Sequence, residues 1–198
     1  MKKILNLIVF LIFVNISFLA LSQRIISVEE AGAQIIGNGI ADDVTEINDI
    51  NNFFEPYVGS WRAVHDNKEY VINIYRERKS LASINLTVDD MGFSYSIKNN
   101  STGAVLADSS NIALGDAYGK YYEPTLDYYK FTMSLSCGES LTVNLGFESQ
   151  LMMPPGVDRY DRLIFLSHKS VLNQDAGNGC QSYIHLLPDD EGLVFERI

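Results

Sequence analysis

Strict alternation of apolar and polar residues runs through the second half of the chain. Tyr129, Phe131, Met133, Leu135 and Cys137 alternate with Lys130, Thr132, Ser134 and Ser136. After Gly138-Glu139 the apolar set resumes at Leu141, Val143, Leu145 and Phe147. A period of two puts each set on one side of a strand, and the short break makes the pair an antiparallel hairpin. Ala82, Ile84, Leu86 and Val88 alternate in the same way, and Phe93, Tyr95 and Ile97 carry the pattern on. Residues 58–65 and 69–76 flank Asp66-Asn67-Lys68 and predict another hairpin. Shorter strands are expected at 104–108, 162–169, 180–187 and 193–197, with loops at 111–127, 152–158 and 173–179. Ile47, Ile50 and Phe54, spaced by three and four, predict one short helix over 43–55, ended by Pro56. Strands joined mostly by hairpins imply an all-β fold, an up-and-down antiparallel β-barrel of about eight to ten strands with a short N-terminal helix.

The first residues change the picture of where this body resides. Lys2 and Lys3 precede a nearly unbroken apolar run, Ile4 to Leu21, and Ala20-Leu21-Ser22 has the small-x-small pattern read by signal peptidase. Residues 1–22 are therefore expected to be an export signal, 23–48 a loose Gly-rich arm, and 49–198 the barrel domain. No cysteine lies near the cleavage site, so a lipoprotein is not expected, and after cleavage no membrane span remains. The location implied is periplasmic or secreted. The formal charge of −10 becomes −12 once Lys2 and Lys3 are removed, and so acidic a surface repels phosphate backbones, which argues against nucleic-acid partners. Cys137 and Cys180 are the only cysteines, and in an oxidising compartment the simplest expectation is a disulfide between them.

Phe53, Tyr57, Gly59 and Trp61 resemble the lead-in of the lipocalins, where an aromatic residue precedes Gly-x-Trp at the start of the first strand. The resemblance implies a lipocalin-like, or calycin-like, barrel in which Trp61 closes one end and an arginine from a late strand covers it. Arg162 is the first candidate for that cover and Arg197 the second. The Thr-Asp-Tyr motif of lipocalins survives only as an echo, Thr125-Leu126-Asp127-Tyr128. From about Asp49 onward the chain is also similar to an uncharacterised family of exported Gram-negative proteins. The residues in common are Asn51 to Trp61, Cys137-Gly138 and Leu187 to Phe195.

Chemistry is sparse. His65, His168 and His185 have no metal-ligand spacing, so no metal or cofactor is expected. The acid runs Asp42-Asp43, Asp89-Asp90 and Asp189-Asp190-Glu191 read as turn formers. No nucleophile elbow, phosphate loop or dinucleotide fingerprint occurs, and the expectation is a protein that is not an enzyme. The Tyr cluster at 118, 121, 122, 128 and 129 is read as a lid over one barrel end. Two functions remain open. In one, a small apolar ligand lies in the barrel against Tyr129, Phe131, Met133 and Phe147. In the other, the barrel is filled and serves as a scaffold docking an envelope protein.

Overall fold

Asp66 and Asn67 both adopt left-handed φ, 46° and 58°, the geometry of a two-residue hairpin turn. They join β3 (Gly59–His65) to β4 (Lys68–Leu81) with His65 opposite Lys68. The computed structural model describes residues 23–109, 117–134, 140–147, 159–170 and 192–198. Cys137, Cys180 and the predicted strand at 180–187 lie outside these.

The all-β expectation holds. After β4 come β5 (Leu86–Asn99), β6 (Val105–Asp108), β7 (Ala117–Glu123), β8 (Tyr128–Ser134), β9 (Ser140–Phe147), β10 (Arg162–Ser170) and β11 (Leu193–Arg197). Ahead of β3 lie β1 (Arg24–Ser27), the helix α1 (Val28–Gly37) and β2 (Val44–Asn48). The strand expected to begin at Ala82 begins instead at Leu86. Ala82–Ile84 form a 3₁₀ turn closed by Asn85 at φ 49°, leaving Ile84 63% exposed. The predicted loop over 111–127 contains β7.

The helix is not where spacing placed it. Across 43–55 the chain forms β2 and then a run of turns, because the Asp49 carboxylate accepts from the backbone N–H of Phe53 and Phe54 at 2.5 and 3.3 Å. Of the three spaced positions Ile47 is buried from β2 and Phe54 from the turns, while Ile50 is exposed, so they share no helical face. The helix lies at 28–37, inside the segment read as a loose arm. Ser27 caps it, accepting from the Glu30 N–H at 3.1 Å, and Glu29 and Glu30 complement the dipole of its first turn. It serves as the crossover that two adjacent parallel strands require, since β1 pairs with β2 in parallel. β2 in turn pairs in parallel with β5, through Glu46↔Thr87 and Ile47↔Val88.

The strands form one sheet in the order β1-β2-β5-β4-β3-β11-β10-β9-β8-β7, with β6 also on β5. The sheet curls until β7 meets β5, but there it is joined by two residue pairs only, Gly92↔Tyr118 and Phe93↔Ala117. Between β4 and β5 the ladder runs through all fourteen residues of each strand. Full closure of the kind expected of a barrel is therefore not reached at this seam. One apolar core lies inside the curl and extends to Ile26, Val28, Val44 and Ile47 of the N-terminal unit. Among the described residues no helix is long and apolar enough to cross a membrane.

Candidate functional site

Pro56 to Trp61 bring the chain across one end of the curled sheet. Gly59 has φ +137°, a conformation that side chains other than glycine rarely adopt. That bend lets Trp61 enter the core fully buried, where its indole N–H donates to the Tyr57 carbonyl at 2.7 Å. The cation over the indole is Arg197, with its guanidinium carbon 4.4 Å from the ring centroid. Arg197 also donates to the carbonyls of Val58 and Pro56, at 3.0 and 2.5 Å. The cover expected first from Arg162 is thus supplied by the second candidate, because the β3–β11 register sets Arg197 opposite Trp61. Arg162 lies on β10 opposite Glu196.

The four residues proposed as ligand contacts split. Tyr129 and Phe131 are buried inside the curl, and Phe147 is partly buried against Tyr57 and Trp61, at 4.6 and 6.2 Å between ring centroids. Met133 lies on β8 opposite Leu141, and its side chain is outside the described part. Rings follow one another through the interior, Phe54 to Tyr129 at 5.5 Å, Tyr129 to Phe131 at 5.1 Å and Phe131 to Phe93 at 5.1 Å. The series continues from Phe93 to Phe165 at 6.5 Å and on to Phe195 at 5.8 Å. These separations are those of aromatic rings in direct contact.

The chemistry that the sequence did not single out is at Asp90. Its carboxylate is buried at the seam and accepts from Lys79 Nζ at 2.7 Å, from the Tyr129 hydroxyl at 2.8 Å and from the N–H of Met91 at 2.7 Å. Lys79 also meets Glu77 at 2.6 Å. Gly119 lies directly over the group: a Cβ there would be 1.9 Å from Asp90 Oδ1. Burial, then the charge of Asp90 and the hydrogen bond to it, pushes the Tyr129 phenol well above its ordinary value. Burial alone would lower Lys79, but the hydrogen bonds to Asp90 and Glu77 outweigh it and raise the ammonium. The raised Tyr129 stays a neutral phenol that donates to Asp90, and the raised Lys79 stays an ammonium.

Asp89 and Asp90 are therefore mid-strand anchors and not the turn formers expected. Asp89 bonds Arg78 at 2.7 Å and accepts from the N–H of Asp49 at 3.0 Å, tying β5 to the end of β2. An open cleft of about 310 Å³ lies alongside, lined by Asp49, Phe54, Arg76, Glu77, Arg78 and Asp89. Its arginines are held by carboxylates, Arg76 by Asp49 and Glu55 and Arg78 by Glu46 and Asp89. Among the described residues no group of His, Cys, Asp and Glu is placed to hold a metal ion. Of the tyrosines, Tyr122 packs on Phe53 at 4.5 Å and Tyr121 accepts from Lys130 Nζ at 2.9 Å. The cluster lies along β7 and β8.

Comparison with protein families, with curated proteins and with solved structures gives no match. The site must therefore be read from its own geometry. One signal in the sequence marks it: the apolar positions Leu86 and Val88 are even, while Phe93, Tyr95 and Ile97 are odd. The parity changes at Asp90-Met91, where four consecutive residues, Asp90 to Phe93, are all buried.

The raised groups give a pH prediction. Tyr129 and Lys79 stand above their ordinary 10.0 and 10.5, so their contribution is complete below those values and is lost as pH rises through the folded-state ones. Stability is expected to fall above about pH 10. Urea midpoints at pH 9 and pH 11 should differ less in Tyr129→Phe than in wild type. Equal differences would refute a role for this phenol.

Proposed function

We propose that this protein is an exported, non-enzymatic β-scaffold of lipocalin-like strand order that docks an envelope protein through its outer faces and loops. Leaving β1, β2 and β6 aside, the antiparallel pairings pass through β3, β4, β5, β7, β8, β9, β10 and β11 in chain order and return from β11 to β3. That order, with Gly59 and Trp61 under Arg197, supports the resemblance to an eight-stranded up-and-down barrel. The export signal expected at residues 1–22 supports a periplasmic or secreted location.

The observation that carries scaffold over carrier is Tyr129. As a ligand contact it would present a free ring and hydroxyl to a hollow, yet its ring packs on Phe54 and Phe131 and its hydroxyl bonds Asp90. A chain of touching rings supports a packed interior over a hollow one that would hold an apolar ligand.

The test is thermal unfolding of the exported chain with fatty acids, sterols and quinones, beside native mass spectrometry of protein taken from its own host. No compound is expected to raise the melting temperature by more than about 1 °C. A true ligand at a hundred times its Kd would add about 2.7 kcal/mol, which is roughly 5 to 10 °C for a chain of this size. Such a rise, or a co-purified lipid, would overturn the scaffold reading. In-cell cross-linking should recover the protein joined to another envelope protein, and recovery of monomer alone would count against docking.

A further inference from the structure

The outer edge of β5 is shared by three short partners in succession. β2 pairs at Thr87 and Val88, β7 at Gly92 and Phe93, and β6 at Ser96, Ile97 and Lys98. Between the first two sectors no described strand pairs with Asp89, Asp90 or Met91 on this edge. The Met91 N–H donates to its neighbour's carboxylate at 2.7 Å. Where a ladder would continue, one buried side chain does the joining. Asp90 binds Lys79 of β4 and Tyr129 of β8, and it lies under Gly119 of β7.

The neighbouring ladders are longer. β8 holds β9 through seven residue pairs and β7 holds β8 through five. Among the described residues the β5–β7 seam has two, as has β3–β11, but the latter is held further by Arg197 on the Val58 and Pro56 carbonyls and by the Ile198 N–H on the Ser60 carbonyl. Directly behind it are Phe93, Phe131 and Tyr129, the centre of the aromatic interior. Outside it lies α1, whose Gly32 approaches the Tyr122 backbone so closely that a Cβ would be 2.1 Å from the carbonyl oxygen. The helix reaches β7 from the unit that β2 attaches to β5, and so straps the seam from without.

We propose that the β5–β7 seam is a gate, at which β7 leaves β5 while the other ladders stay paired, and that the Asp90 carboxylate is its bolt. Free energy for opening is lowest where few strand bonds must break, and a buried charge with three donors supplies most of what resists it. Among the described residues the charged and titratable groups facing Asp90 are Lys79 and Glu77 from β4 and Tyr129 from β8. Along β5, Asp89 is engaged by Arg78 and the Asp49 N–H, and from β7 Gly119 presents no charge. Neutralising Asp90 removes the charge that draws Lys79 and weakens the acceptor of the Tyr129 hydroxyl, and with them the join between β5 and the β7–β8 hairpin.

Hydrogen–deuterium exchange at neutral pH, read on peptides covering 117–123 and 68–81, tests this in the exported chain. In wild type the β7 amides are expected to exchange at least about tenfold faster than those of β4 under subdenaturing conditions. Asp90→Asn should speed β7 by a further factor of about ten and leave β4 unchanged. If Asp90→Asn does not fold, Tyr129→Phe keeps the ring packing, removes one donor and should produce a smaller acceleration confined to β7. The proposal is overturned if β7 and β4 exchange together in wild type, if the variant accelerates both equally, or if it leaves β7 unchanged.

Discussion

Trp61→Ala is expected to lower the unfolding free energy by about 3 to 5 kcal/mol, the cost of emptying a large aromatic site in a packed core. Three losses combine. The indole is fully buried, so its removal leaves a cavity lined by Phe147 and by Tyr57 of the preceding turn. The Tyr57 carbonyl loses a donor at 2.7 Å in a place water does not reach. Arg197 loses the ring beneath its guanidinium, a contact worth about 1 kcal/mol, but keeps the Val58 and Pro56 carbonyls. Trp61→Phe should recover more than half of the loss because it refills most of the volume. Arg197→Ala should cost less, about 1 to 2 kcal/mol, since the cation is at the rim. Urea unfolding measures all three, and because Trp61 is the only tryptophan its fluorescence reports on this end alone in Arg197→Ala. Near-wild-type stability in Trp61→Ala would mean that the residue does not plug the core.

This plug was the most legible part of the molecule because its determinants are local in sequence. Gly59 and Trp61 are two residues apart, and a positive φ at one places the ring of the other. The hairpins β3–β4 and β8–β9 were legible for the same reason, since period-two patterning and turn chemistry lie within a few residues of each other. The arginine over the ring was harder to choose, because it depends on the register by which the last strand meets the first of the ring. The N-terminal unit was misread because Gly32 and Gly37 argue against a helix by propensity. Gly32 is in the helix for lack of room beside the Tyr122 backbone, a tertiary reason that propensity does not contain. At Asp90 the parity change was present in the sequence, but its meaning depended on Lys79, Gly119 and Tyr129 arriving from three other strands.

Gly119→Ala is the second large effect and bears on the same carboxylate from above. A Cβ at this position would lie 1.9 Å from Asp90 Oδ1, 2.8 Å from the Met91 carbonyl oxygen and 2.8 Å from the Tyr129 ring. The last two are backbone and a fully packed ring, so the short carboxylate is what must give. Moving it strains or breaks bonds from Lys79 and Tyr129 together, which raises the cost above that of ordinary overpacking, to about 3 kcal/mol or more. Gly37→Ala serves as the comparison, since it is at the end of α1 with nothing within 4 Å of an added Cβ. It should be neutral or stabilising by up to about 1 kcal/mol, the helix preference for alanine. If the clash acts through Asp90, the alanine at 119 should cost less in an Asp90→Ala background, where the carboxylate is already gone, and the two losses should fall short of their sum by about 1 kcal/mol or more. Strict additivity would place the cost of Gly119→Ala in the backbone of β7 and take Asp90 out of its cause.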